Sequence, residues 1–125
     1  MKSIIVVGLL LLALAPSAVA AGYRNIMSSE AQNLLAQNKE IFLLDVRTPE
    51  EFRQARLKGA VLIPISELEL RVQEIPRNRP ILIYCAVGSR SNLVAAFLAD
   101  KGYKNVFNMV DGIVGWYRNG LPILR

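Results

Sequence analysis

The sequence contains no histidine, and its 125 residues include a single cysteine, Cys85. Without histidine, catalytic triads that take their base from an imidazole are excluded. With one Cys and no His the usual zinc ligand sets cannot be assembled, and a thiol nucleophile requires no metal or organic cofactor. A lone cysteine forms no intramolecular disulfide, and the fold must rest on its core alone. Basic side chains outnumber acidic ones by 15 to 10, a net charge of +5. They are spread along the chain with no Lys/Arg block and no interleaved aromatics, which argues against nucleic acid as a partner. The surplus reads as ordinary solubility charge. Repeats and low-complexity stretches are missing, and an apolar content of 53% is too high for a disordered chain. One compact domain is the natural content of a chain this long.

The first twenty residues read separately from the rest. Met1-Lys2 is a short positive start, Ile4 to Ala15 is an uncharged apolar run, Pro16 breaks it, and Ala18-Val19-Ala20 has the spacing of an A-x-A cleavage site. This is the three-part pattern of a secretory signal peptide over residues 1–20, followed by a domain over 21–125 that is periplasmic or secreted. The alternative is an uncleaved anchor, the one reading that brings a membrane in as partner. A spanning helix needs roughly 20 apolar residues, and this run reaches that length only with Pro16 and Ser17 counted in. A lipid-modified start lacks the cysteine it would need near the cut.

Beyond the signal, apolar strands alternate with helical segments. Tyr23 to Met27 fits a short edge strand, and Ser29 to Gln32 fits a capping box ahead of Ala31, Leu34 and Leu35 at helical spacing. Ile41 to Leu44, Ala60 to Ile63 and Ile81 to Tyr84 are continuous apolar runs, the pattern of strands buried on both faces. Asn105 to Met109 reads as a further strand. Between them, Thr48-Pro49-Glu50-Glu51 starts a helix with a cap, a proline at the first helical position and a capping box. Ser66 and Glu69 repeat the capping-box spacing. Ser91 to Lys101 reads as a helix with Leu93, Val94, Ala96, Phe97 and Leu98 apolar, ended by Gly102. Asp111-Gly112 begins a last short helix carrying Trp116. The expected fold class is α/β, a mainly parallel sheet with helices on both faces. Ligands bind beyond the carboxyl ends of the strands of such sheets, and Cys85 stands at one of those ends.

Cys85-Ala86-Val87-Gly88-Ser89-Arg90 is a tight loop of small residues running from a strand into a helix. Inward amides of such a nest, with the free amides of a helix N-terminus, make a site for an anion. A cysteine at its first position is held there as thiolate, the nucleophilic form, without a neighbouring histidine. Two readings of Cys85 stand, a small residue filling the core or a reactive thiol, and the loop favours the second. For Arg90, a solvated first-turn residue and an electrostatic partner of the thiolate stand side by side.

Leu43-Leu44-Asp45-Val46-Arg47-Thr48-Pro49-Glu50-Glu51-Phe52, Gly59-Ala60-Val61, Cys85-x-x-Gly88-x-Arg90-Ser91, Gly112-x-x-x-Trp116 and Gly120-x-Pro122, in this order, resemble the rhodanese homology domain. The resemblance runs from about Tyr23 to the C-terminus. It implies a five-stranded parallel sheet flanked by helices, and a transfer of sulfane sulfur from a small donor such as thiosulfate to a thiophilic acceptor such as cyanide, a small thiol or a protein thiol. It further implies that Cys85 carries the sulfur as a persulfide, that the amides of Ala86, Val87, Gly88, Ser89 and Arg90 cradle it, and that Arg90 helps hold an anionic donor. Asp45 and Arg47 then match a structural element, and Trp116 a packing position. Gly88 is expected to be small so that backbone can approach the sulfur.

Two positions depart from the family's pattern. Ala55-Arg56 stands where a Gly-His pair is common, and Asp111-Gly112 where two glycines are frequent, an aspartate there being suited to cap the last helix. Loop length separates sulfur transfer from phosphatase chemistry. Related phosphatases use Cys-x5-Arg, whereas four residues separate Cys85 from Arg90 here, a narrower cradle suited to one sulfur. A domain that only docks a partner is the remaining alternative, against which the retained loop argues.

Overall fold

The computed structural model describes residues 22–125, so the signal-peptide reading of residues 1–20 lies outside the described residues. Strands β1 (Arg24–Ile26), β2 (Phe42–Asp45), β3 (Val61–Leu62), β4 (Ile81–Tyr84) and β5 (Val106–Met109) form one sheet in the order β1-β5-β4-β2-β3. Every pairing in it is parallel. Helices α1 (Ser28–Gln37), α2 (Pro49–Gln54), α3 (Leu68–Arg71), α4 (Ser89–Asp100) and α5 (Gly112–Arg118) connect and cover the strands.

Strict alternation along β2 and β4 explains their unbroken apolar character. Leu44, Ile81, Ile83 and Cys85 face Leu68 of α3 and Val94, Ala95 and Leu98 of α4. Leu43, Leu82 and Tyr84 face Ala31 of α1 and Ile113 and Trp116 of α5. Both faces are therefore buried, as the parallel arrangement demands. The Trp116 indole N–H donates to the Pro122 carbonyl at 2.8 Å, which ties the C-terminal tail to α5.

Several expectations are corrected. The strand expected over Ala60 to Ile63 pairs only through Val61 and Leu62, and Val61 is exposed because β3 is the sheet edge, with β2 as its one neighbour. Leu93 is 64% exposed; the inward stripe of α4 is Val94, Ala95 and Leu98, and a residue one position before it lies off that stripe. Helix α4 also starts two residues early, at Ser89, which places Arg90 in its first turn.

The helix starts divide the same way. The Thr48 capping box forms: the Glu51 amide donates to Thr48 Oγ1 at 3.2 Å and the Thr48 amide to Glu51 Oε1 at 3.0 Å. The box expected at Ser29 does not form. Helix α1 begins at Ser28, whose amide and hydroxyl donate to Asp111 Oδ1 and Oδ2 at 2.9 and 2.6 Å. Asp111 thus serves the start of α1, and its side chain makes no cap to its own helix α5. No cap forms at Ser66 either, where a 3₁₀ turn over Ile65–Glu67 precedes α3. Glu67 and Glu74 pair there with Arg71 instead, at 3.0 and 2.8 Å.

Candidate active site

Strand β4 lies in the middle of the sheet, between β5 and β2, and Cys85 is the next residue after it. The cysteine is fully buried. Its Sγ accepts the Gly88 amide at 3.1 Å and the Ser91 amide at 3.4 Å, and the Ser91 hydroxyl lies 3.4 Å away. That hydroxyl also donates to the Gly88 carbonyl at 3.2 Å. With one proton for two acceptors, it accepts from a thiol and can turn to donate to a thiolate.

The loop presents its amides to the sulfur because its carbonyls are taken on the other side. The Ile113 amide donates to the Cys85 carbonyl at 2.9 Å and the Val114 amide to the Ala86 carbonyl at 3.1 Å, both from the first turn of α5. Two glycines make these backbone contacts possible. A Cβ on Gly88 would overlap the Val110 carbonyl oxygen, and one on Gly112 would overlap the Ala86 carbonyl. The Gly88 backbone does approach the sulfur, as expected, and a second reason for glycine joins it: the space its missing Cβ leaves is filled by Val110 backbone.

The electrostatics follow from this geometry. Burial pushes the Cys85 thiol up, but hydrogen bonds from the Ser91 hydroxyl and amide and from the Val87 and Gly88 amides outweigh it. The net shift is downward, toward thiolate at neutral pH. Arg90 is paired. Its Nη1 and Nη2 donate to Glu51 Oε1 and Oε2 at 2.8 and 2.9 Å, a bidentate fork with each side chain 31% exposed. The Arg90 hydrogen bond is the largest influence on Glu51, whose carboxyl is held at about 2.

A second ion pair is structural. Buried Asp45 holds Arg47 at 2.8 Å, Arg47 Nη2 also donates to the Ala55 carbonyl at 2.6 Å, and the guanidinium lies over the Tyr84 ring. One side chain therefore binds the end of β2, the end of α2 and β4 together, as the resemblance implied.

Of the residues expected at the site, Cys85 to Gly88 form the loop, and Ser89 and Arg90 open α4. Val87 and Ser89 are exposed. Ser91 was not among the expected site residues, although its position six after Cys85 in a helix start was a usable signal. Local pattern marks Glu51 only as a capping residue, and Asp111-Gly112 only as the start of a helix. The links to Glu51 and to Asp111-Gly112 cannot be seen without the folded sheet.

Comparison with known proteins agrees with this geometry. Residues 27–119 match the family described as Rhodanese-like domain. A protein named Sulfurtransferase from Allochromatium vinosum is 38% identical over 97 residues, covering 78% of this chain and 91% of that protein. A protein named Thiosulfate sulfurtransferase GlpE from Actinobacillus succinogenes is 35% identical over 71% of this chain and 80% of its own length. Among solved structures, a rhodanese-related protein from Thermoplasma volcanium superposes with a TM-score of 0.75 at 30% identity, covering 82% of this chain and 98% of the other. With its parallel five-stranded sheet, its cysteine loop and these relatives, the chain belongs to the rhodanese-like domain family.

Proposed function

We propose that this protein is an enzyme, a sulfurtransferase that carries sulfane sulfur on Cys85 as a persulfide between a small donor and a thiophilic acceptor. One observation supports it above the others: a fully buried, solitary cysteine whose sulfur takes two backbone amides and faces a hydroxyl. The thiolate attacks the outer sulfur of the donor, a new S–S bond forms, and the donor's own bond breaks with the electron pair leaving on its remainder. From thiosulfate the remainder is sulfite. The transferred sulfur sits against the same amides. An acceptor then attacks that sulfur and the Cys85 thiolate leaves; cyanide departs as thiocyanate, and a thiol departs as a persulfide. Ser91 and the loop amides hold the thiolate at both ends of the cycle. Residues 1–20 are proposed to export the domain over 21–125 to the periplasm or medium, which the mass of the protein recovered from that compartment checks.

The test is intact mass of the protein and of Cys85→Ser after incubation with thiosulfate or with an alkyl hydropersulfide, followed by cyanide. Gain of one sulfur atom on the wild type alone, removed as thiocyanate, is the expected result. No gain from either donor refutes sulfur transfer and leaves a domain that docks a partner.

A further inference from the structure

The loop that holds Cys85 carries no free cation. Ala86, Val87 and Ser89 are uncharged, and Val87, 61% exposed, makes that stretch of the loop surface apolar. Arg90 is the loop's one guanidinium, in the first turn of the helix that Cys85 and its loop lead into, and both prongs of its fork are filled by Glu51. Arg47, just past the end of the neighbouring strand β2, is buried and spent on Asp45 and the Ala55 carbonyl. Each of these two cations is thus matched by a carboxylate, and neither is free to balance the charge of the thiolate. Thiosulfate arriving at such a site adds two negative charges to that thiolate and must compete with a preformed, bidentate carboxylate for Arg90.

Resting on the sulfur-transfer reading above, we propose that Glu51 sets the charge of the donor: by occupying Arg90 it turns the site from dianionic thiosulfate toward thiol persulfides, R–S–S–H. The step balances without an added reactant. The Cys85 thiolate bonds to the outer sulfur, the donor S–S bond breaks, R–S⁻ leaves with the electron pair, and the proton stays on the transferred sulfur. Glu51 touches no reacting atom and acts through Arg90, so it is a positioning residue.

Glutamine at position 51 keeps the capping box, since its carbonyl oxygen still accepts the Thr48 amide. It removes the charge that competes for Arg90. The experiment is single-turnover sulfur loading of Cys85, followed by intact mass against donor concentration, for wild type, Glu51→Gln and Thr48→Ala, with thiosulfate and with 2-hydroxyethyl hydropersulfide. Wild type is expected to half-saturate at lower persulfide than thiosulfate. Glu51→Gln is expected to lower half-saturation for thiosulfate by about tenfold, the weight of one charge-assisted pair, at a similar maximal rate. Its persulfide value is expected to shift far less. Thr48→Ala, which weakens the cap but keeps the pair, should leave the donor ratio where it was. An equal shift for both donors, or none for thiosulfate, overturns the role of Glu51 while sulfur transfer stands. Failure of every protein to load from either donor overturns both.

Discussion

Replacing Gly88 by alanine tests how the loop is built. Gly88 has φ +92, and a Cβ there would overlap the Val110 carbonyl oxygen and stand 3.0 Å from its carbon. Holding an alanine in the left-handed region costs about 1–2 kcal/mol. Forcing the loop off Val110 adds an overpacking cost of about 1–3 kcal/mol, so the variant should lose about 2–5 kcal/mol. Gly59 supplies the control. It has φ +80 but nothing within 4 Å of its would-be Cβ, so Gly59→Ala should lose about 1–2 kcal/mol from backbone strain alone. Urea unfolding of both variants measures the two losses, and the difference isolates the clash. A second readout concerns the thiol. Displacing residue 88 lengthens the 3.1 Å amide contact to Cys85 Sγ, so the thiol should titrate higher, as followed by the pH dependence of iodoacetamide alkylation. Equal losses at 59 and 88 would remove Val110 from the argument, and a lower stability with an unmoved thiol titration would show that the Gly88 amide does not hold the sulfur.

Ser91→Ala keeps the backbone amide but removes the hydroxyl that lowers the Cys85 thiol, so the alkylation midpoint should rise; an unchanged midpoint would make Ser91 a packing residue. Arg47→Met leaves Asp45 buried without its cation and should cost about 3–5 kcal/mol in urea unfolding, whereas a loss under about 1 kcal/mol would contradict a structural role for the pair. Glu51 is held at about 2 in the folded protein against an ordinary 4.5. Its folded value lies below the unfolded one, so its contribution is complete above about pH 4.5 and is lost as pH falls through about 2. With each partner nearly a third exposed, that contribution is about 1 kcal/mol, and the stability gap between wild type and Glu51→Gln should narrow by most of this between pH 7 and pH 2.5, the remainder going as the pH falls through about 2.

What the sequence determined by itself is local or periodic. The unbroken runs Phe42–Leu44 and Ile81–Tyr84 required strands covered on both faces, because neither face could be left to water. Thr48 to Glu51 required a helix start, since both partners of the capping box lie within one turn. Cys85, Gly88 and the helix start after them required a loop able to favour a thiolate. Only the tertiary structure decided the rest, and the reason is the same each time: the partner is distant in the chain. Asp111 caps α1 across 83 residues in place of Ser29. Arg90 meets Glu51 across 39. The amides of Ile113 and Val114 turn the loop's carbonyls outward and so aim its own amides at Cys85. Spacing rules describe contacts that one element makes with itself. The order of strands in the sheet decides which of the remaining polar groups come within hydrogen-bonding distance of one another.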